Sequence, residues 1–375
     1  MAIEKGNKRI INAWVFYDWA NSVYPLVITT AIFPPFFEAV TNPDEKAKPM
    51  VDFLGFSIRN TQVYEIVIAT SFLFVVLLSP ILSGIADYSG NKKFFLKLFC
   101  YLGSLSCAAF FFFDPDHLEL SMLPVMMASI GFWGSLVFYN AYLPEIAEPK
   151  DQDRISARGF SMGYLGSSIL LITCLALIMV AEMPARWCFV LVALWWVGFS
   201  QITYRRLPTL GPKERNDSSI YTKGFKELRS VWKEVKKNGQ LKAYLRAFFL
   251  YSMGVQTLLL LAVLFAKTEI RDMPEAGLII SVLVIQFVAI AGSRLFAFSS
   301  GRYGNIFTLK IAILVWVIVC IAAYFTYTAL QFYFLAAAVG LIMGGIQSLS
   351  RSTYSKMLPD TRDHASYFSF YDVTE

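Results

Sequence analysis

Ten apolar stretches, each about as long as a lipid bilayer is thick, run through this chain and are joined by connections that hold nearly all of its charge. A bilayer core takes about 20 helical residues to cross. Within it every backbone N–H and C=O must be satisfied internally, which admits only helices and closed barrels. Runs of this length favour helices. Spanning helices are therefore expected near 13–38, 63–85, 94–113, 120–144, 159–182, 186–204, 243–266, 275–298, 306–328 and 331–350. The composition agrees, since only 16% of residues are charged against roughly 25% in soluble domains. The expected fold class is an all-α integral membrane protein.

In a soluble protein a net charge of +6 would invite nucleic acid, but here the bases sit in loops, where they report orientation. Nucleic-acid binding is rejected. With the N-terminus inside, the inner set is Lys5, Lys8 and Arg9; Lys92, Lys93 and Lys97; Lys150, Arg154 and Arg158; the 205–242 loop; Arg294 and Arg302; and Arg351, Lys356 and Arg362. The outer set is Lys46, Lys48, Arg59, Arg186, Lys267 and Arg271. Both ends are thus expected in the cytoplasm. The first apolar run lacks a small-residue cleavage site and is too long for a signal peptide. The five cysteines lie in or beside apolar runs without paired spacing, and read as small hydrophobes.

The first span carries the most unusual residues. From Val23 to Phe37 it is apolar for about 15 residues, roughly 22 Å of helix, so the crossing must reach back through Asp18. At 100° per residue Asp18, Asn21, Ser22, Pro25 and Thr29 share one stripe. An ionisable group in a span normally faces protein or a watery cavity. The alternative places Asp18 at headgroup level as a capping acid. Burial would favour its protonated form, unless Arg158, Arg246 or Arg351 approaches.

Nearly forty residues after the sixth span are rich in Lys and Arg and hold Pro208, Gly211 and Pro212, which divides the chain into 1–204, 205–242 and 243–375. In the connection Phe225, Leu228, Val231, Trp232 and Val235 recur at helical spacing against Lys226, Arg229, Lys233, Lys236 and Lys237. An amphipathic helix on the inner leaflet and a solvated basic linker both fit. The sequon Asn216-Asp-Ser218 is cytoplasmic on this topology and is discarded. The loop Ser83-Gly-Ile-Ala-Asp-Tyr-Ser-Gly-Asn-Lys-Lys93 is echoed by Ala297-Phe-Ser-Ser-Gly-Arg-Tyr-Gly-Asn-Ile306, which points to two related bundles.

That first loop resembles the signature of the major facilitator superfamily, in which an Asp and basic residues latch helix ends on the cytoplasmic side. The resemblance implies a conformational latch at Asp87, Gly90 and Lys92, with Arg302 and Gly304 as a weaker copy in which Gly301 replaces the Asp. Tyr17-Asp-Trp-Ala-Asn-Ser22, Phe138-Tyr-Asn-Ala-Tyr-Leu-Pro-Glu145, Arg158-Gly-Phe-Ser-Met-Gly-Tyr-Leu-Gly166 and Gly344-Gly-Ile-Gln-Ser-Leu-Ser-Arg-Ser352 resemble the vacuole-effluxer-like branch, over nearly the whole chain. That branch implies twelve helices in a two-bundle fold, of which about ten are present. The chain ends at Glu375 in what the pattern makes a loop before an eleventh, as a truncated protein would. Fungal members are associated with amino-acid export from the vacuole, so the resemblance implies transport more firmly than cargo.

The expected function is a secondary active transporter that moves a small polar or zwitterionic, amino-acid-like solute, as an exporter, by alternating access. The alternative is a non-transporting, channel-like or flippase-like membrane module. Candidate solute and coupling residues are Asp18, Asn21 and Ser22; Tyr139 and Asn140; Gln286, on one face with Ser293; and Gln347 with Arg351, four apart on one face. Gly159, Gly163 and Gly166, like Gly340, Gly344 and Gly345, read as close-packing faces. Gly159-Phe-Ser-Met-Gly163 fits the nucleophile elbow of hydrolases, but Ser161 enters a spanning helix and no histidine base stands near, so no enzyme activity is expected. His117 and His364 both fall near span edges, which leaves proton coupling to a carboxylate: Asp18, Glu38, Glu65 or Glu145. Asp18 alone combines an in-span position with a polar stripe. No metal or organic cofactor is expected, and the chain reads as a monomer in a bacterial cytoplasmic membrane.

Overall fold

The computed structural model describes residues 4–44, 49–209, 220–270 and 273–375. Lys46, Lys48, Arg271, Gly211, Pro212 and the 216–218 sequon lie outside them.

The first span, expected as one helix, is built in three pieces. Asn7 caps α1 (Lys8–Asn21) by accepting the N–H groups of Arg9 and Ile10. A wider π-helical stretch, Tyr24–Ile32, follows, and then α2 (Phe33–Thr41). The prolines account for the break. Pro25, Pro34 and Pro35 have no N–H to continue an α-helical ladder. The hydroxyls of Thr29 and Thr30 re-satisfy the Pro25 carbonyl at 2.6 and 2.8 Å, and the Phe33 N–H reaches Ile28.

On the far side β1 (Met50–Phe53) and β2 (Phe56–Arg59) form a hairpin whose turn residues, Leu54 and Gly55, both have positive φ. The remaining elements are α3 (Asn60–Ser89), α4 (Lys92–Ala109), α5 (Leu118–Asn140), α6 (Leu143–Ile146), α7 (Gln152–Met179), α8 (Arg186–Arg206), α9 (Ile220–Lys237), α10 (Gly239–Glu269), α11 (Glu275–Tyr303), α12 (Asn305–Tyr324), α13 (Ala329–Met357) and α14 (His364–Thr374). Among the described residues nine helical segments are long and apolar enough to cross a membrane. The helix α10, 31 residues long, stands where another span is expected.

The helices overrun the apolar stretches. The second expected span ends at Ser89 rather than 85, the fifth begins at Gln152 rather than 159, and the last continues to Met357 rather than 350. Their polar ends are buried against one another on the face that carries the N-terminus. Residues 364–374, expected to be loop, form α14, because Asp87 of α3 supplies acceptors for its first N–H groups.

Of the basic connection, residues 220–237 form the helix α9, and one side of it packs on the bundle. Val231 and Val235 of α9 are buried, and Gly224 comes so close to α3 that a Cβ on Gly84 would meet its carbonyl oxygen. The Glu234 carboxylate accepts the Tyr367 hydroxyl of α14 at 2.6 Å. Phe225, Lys226, Arg229, Lys233, Lys236 and Lys237 remain exposed.

Candidate functional site

Four candidates scattered through the sequence meet at one point between the halves. Asp18 of α1 is 5% exposed and Arg351 of α13 is 3% exposed; Arg351 Nη2 donates to Asp18 Oδ2 at 3.1 Å. The Tyr139 hydroxyl of α5 donates to the same oxygen at 2.7 Å, and Arg351 Nη1 reaches Asn140 Oδ1 at 3.4 Å. Two further donations from Arg351 go to the hydroxyl and carbonyl oxygens of Ser156 on α7, each at 3.0 Å. The guanidinium lies over the rings of Trp14, Tyr139 and Phe160. A buried ion pair is tolerable only when its remaining valences are filled, and hydroxyls, carbonyl and π faces fill most of those of Arg351. Of the three arginines considered, Arg351 is the one that approaches; Arg158 and Arg246 are exposed.

The helix packing that allows this is legible in the glycines of α7. A Cβ on Gly159 would collide with Asp18 Oδ2 and lie 2.9 Å from Arg351 Nη2, and one on Gly163 would strike the Ser22 hydroxyl. Asn21 is buried with its Nδ2 unpartnered among the described residues, and Gln286 Oε1 is likewise unpartnered. Gln347 accepts the Tyr164 hydroxyl at 2.6 Å, and Ser293 shares a hydrogen with Ser161 at 2.7 Å, so both act as bonds between halves. The structure thus gathers Asp18, Tyr139, Asn140 and Arg351. Among the described residues the side chains of Asn21, Ser22, Gln286 and Gln347 make no hydrogen bond to the side chains of that group.

Asp87 accepts the backbone N–H groups of Ala365 and Ser366 at 3.2 and 2.7 Å, and Lys92 Nζ stands 3.3 Å from it while also contacting Glu145. Gly90, with φ of 64°, makes the turn that brings Lys92 back. His364 Nδ1 lies 3.0 Å from Glu145, so this histidine is part of the latch region rather than a surface residue. The second copy is held differently from the sequence expectation. Arg302 is exposed over the Tyr303 ring, and Gly304 contributes only a positive-φ turn. The carboxylate missing at Gly301 comes from across the interface: Asp153, at the start of α7, accepts from Ser300 at 2.8 Å, Asn305 Nδ2 at 2.7 Å and Lys356 Nζ at 2.6 Å.

Sequence reasoning missed Asp153, Ser156, Asn305 and Lys356. Two signals were available. Asp153 is an acid in a helix's first turn, and Ser156, three before Gly159, falls on the helix face that meets Asp18. Every described hydrogen bond between residues 1–206 and 239–375 lies between the N-terminal face and the level of Tyr164 and Gln347; none lies beyond it.

Comparison with known proteins follows the same lines. The family described as vacuole effluxer Atg22 like matches residues 6–375. An uncharacterized MFS-type transporter, YxiO, of Bacillus subtilis (strain 168) is 33% identical, over 96% of this chain and 84% of that one. Autophagy-related protein 22 of Yarrowia lipolytica is 24% identical, over 89% and 72%. Among solved structures, the human organic anion transporter MFSD10 superposes with a TM-score of 0.71 at 13% identity, covering 99% of this chain and 91% of that one. The E. coli fucose:proton symporter FucP gives 0.66 at 15%, covering 98% and 87%. At such identities the structures speak for the fold alone.

Proposed function

Because this chain belongs to the vacuole effluxer Atg22-like branch of major facilitator transporters, we propose that its Asp18–Arg351 pair is the binding site for a small zwitterionic solute. The observation that carries this reading is a single acid and a single base, one from each half, buried against each other where the halves meet. A zwitterion brings the same two charges. Its ammonium replaces Arg351 at Asp18, its carboxylate replaces Asp18 at Arg351, and neither half is left with an unpaired buried charge. A neutral sugar offers no such exchange.

Loading the site parts the pair and so weakens the tie between halves at its centre, which is what alternating access requires. Direct pairing with Arg351 supports Asp18 as a solute ligand rather than as the proton carrier. The positive-inside bias supports a cytoplasmic position for the latched face, and on that reading the conformation is one closed toward the cytoplasm. Asn21, with its free amide, and Ser22 complete the pocket wall.

The test is counterflow of labelled amino acids in liposomes containing the purified transporter. Asp18→Asn and Arg351→Lys are each expected to cut saturable exchange at least tenfold. Wild-type exchange rates in both variants would defeat the assignment, and lipid scrambling without solute exchange would favour a flippase on the same fold.

A further inference from the structure

A second carboxylate reaches the solute site from the C-terminal side. Asn140 lies between the two: its Oδ1 faces Arg351 Nη1, and its Nδ2 faces Asp372 Oδ1 of α14, each at 3.4 Å. The other oxygen, Asp372 Oδ2, is shut off from solvent and has no hydrogen-bond partner among the described residues. Asn140 thus stands as a relay between the guanidinium that Asp18 holds and a second carboxylate on the opposite half.

The surroundings do not balance this count. From α5 come Tyr139 and Asn140, from α1 Asp18, and from α13 Arg351 and Tyr354. On the α10 side Gln256 faces Glu375 at 3.5 Å, adding a third acid. The other charged partners of α14, namely Asp87, Glu145 and Glu234, contact its first turn at Tyr367 or earlier. Near Asp372 the only base among the described residues is Arg351, which is paired with Asp18.

We propose that Asp372 is the coupling-proton site of this transporter and that proton and solute cross in the same direction. The proposal rests on the zwitterion site described above. The solute carboxylate and an ionised Asp372 compete for Arg351. A proton delivered to Asp372 Oδ2 by water admitted when the site opens removes the competitor, leaves Asn140 donating to Oδ1, and frees Arg351 for the solute. When the site opens to the other side, solute and proton leave together.

Linkage makes this quantitative. If solute binds only the protonated form, apparent affinity falls about tenfold per pH unit once Asp372 is ionised. Asp372→Asn imitates the protonated carboxyl. It is expected to bind and exchange solute with an affinity that no longer varies with pH, and to lose the proton uptake that accompanies solute entry, read by a pH dye inside the liposomes. A variant that still moves protons with solute, or keeps the wild-type pH dependence, overturns the proposal. So does a wild-type protein that takes up solute down its gradient without moving protons, although the zwitterion site then stands. Absence of saturable exchange in the wild type would instead remove the solute reading itself. Asp372→Ala, which cannot hold Asn140, separates loss of the proton from loss of the hydrogen bond: both variants should uncouple, whereas only Ala should weaken solute binding.

Discussion

At the scale of single residues, the site depends as much on a missing side chain as on those present. Gly159 leaves the space that Asp18 and Arg351 occupy. Gly159→Ala is expected to displace the Asp18 carboxylate and weaken solute binding at least tenfold, about 1.4 kcal/mol, while the protein stays folded. Titration of solute binding by thermal shift checks this, and unchanged affinity would mean that the pair tolerates a methyl group. The charged members of the site were legible in the sequence because an acid or base in a span has few places to go. Its partners were less so: Ser156 is one serine among many, and Asp372 stood in what the hydropathy pattern made a loop. His364 falls near a span edge in that pattern and its burial was not legible for the same reason, since hydropathy reports lipid contact and is silent about polar residues buried by other polar residues.

Among the elements, α9 shows most clearly what periodicity can and cannot say. The spacing of Leu228, Val231 and Val235 gives the helix, but not whether its apolar side meets lipid or protein. Gly84 and Gly224 decide that, by letting two backbones touch. Gly84→Val is expected to lift α9 from α3 without disturbing the Asp18–Arg351 pair. Hydrogen exchange should then accelerate across 224–237 while α1 and α13 keep their protection; unchanged exchange would show that α9 is held by α14 alone. The first span makes the converse point. Its prolines were plain in the sequence, yet its apolar continuity suggested one helix, because hydrophobicity does not register how backbone bonds are rearranged around Pro25 and Pro34.

On the scale of the whole molecule, the two bundles are tied on one face by two latches of opposite construction. In one, a carboxylate near the end of α3, Asp87, grips the start of α14; in the other, a carboxylate at the start of α7, Asp153, is gripped by an amide at the start of α12 and a lysine. Asp87→Asn is expected to slow flux while sparing solute binding, since it touches neither Asp18 nor Arg351. Asp153→Asn should do the same but also mask a dependence on salt that the wild type shows. If Asp87→Asn abolishes binding instead, the residue belongs to the site. The difference comes from Lys356, which is 24% exposed, so that mobile ions reach its pairing with Asp153, whereas Asp87 is bound by backbone groups that water does not touch. Two fastenings of unequal strength on one rim behave as a clasp and a hinge. Thermal agitation works first at the weaker side, so the gate on this face should swing about an axis near Asp87, admitting solute along the edge that Lys356 guards.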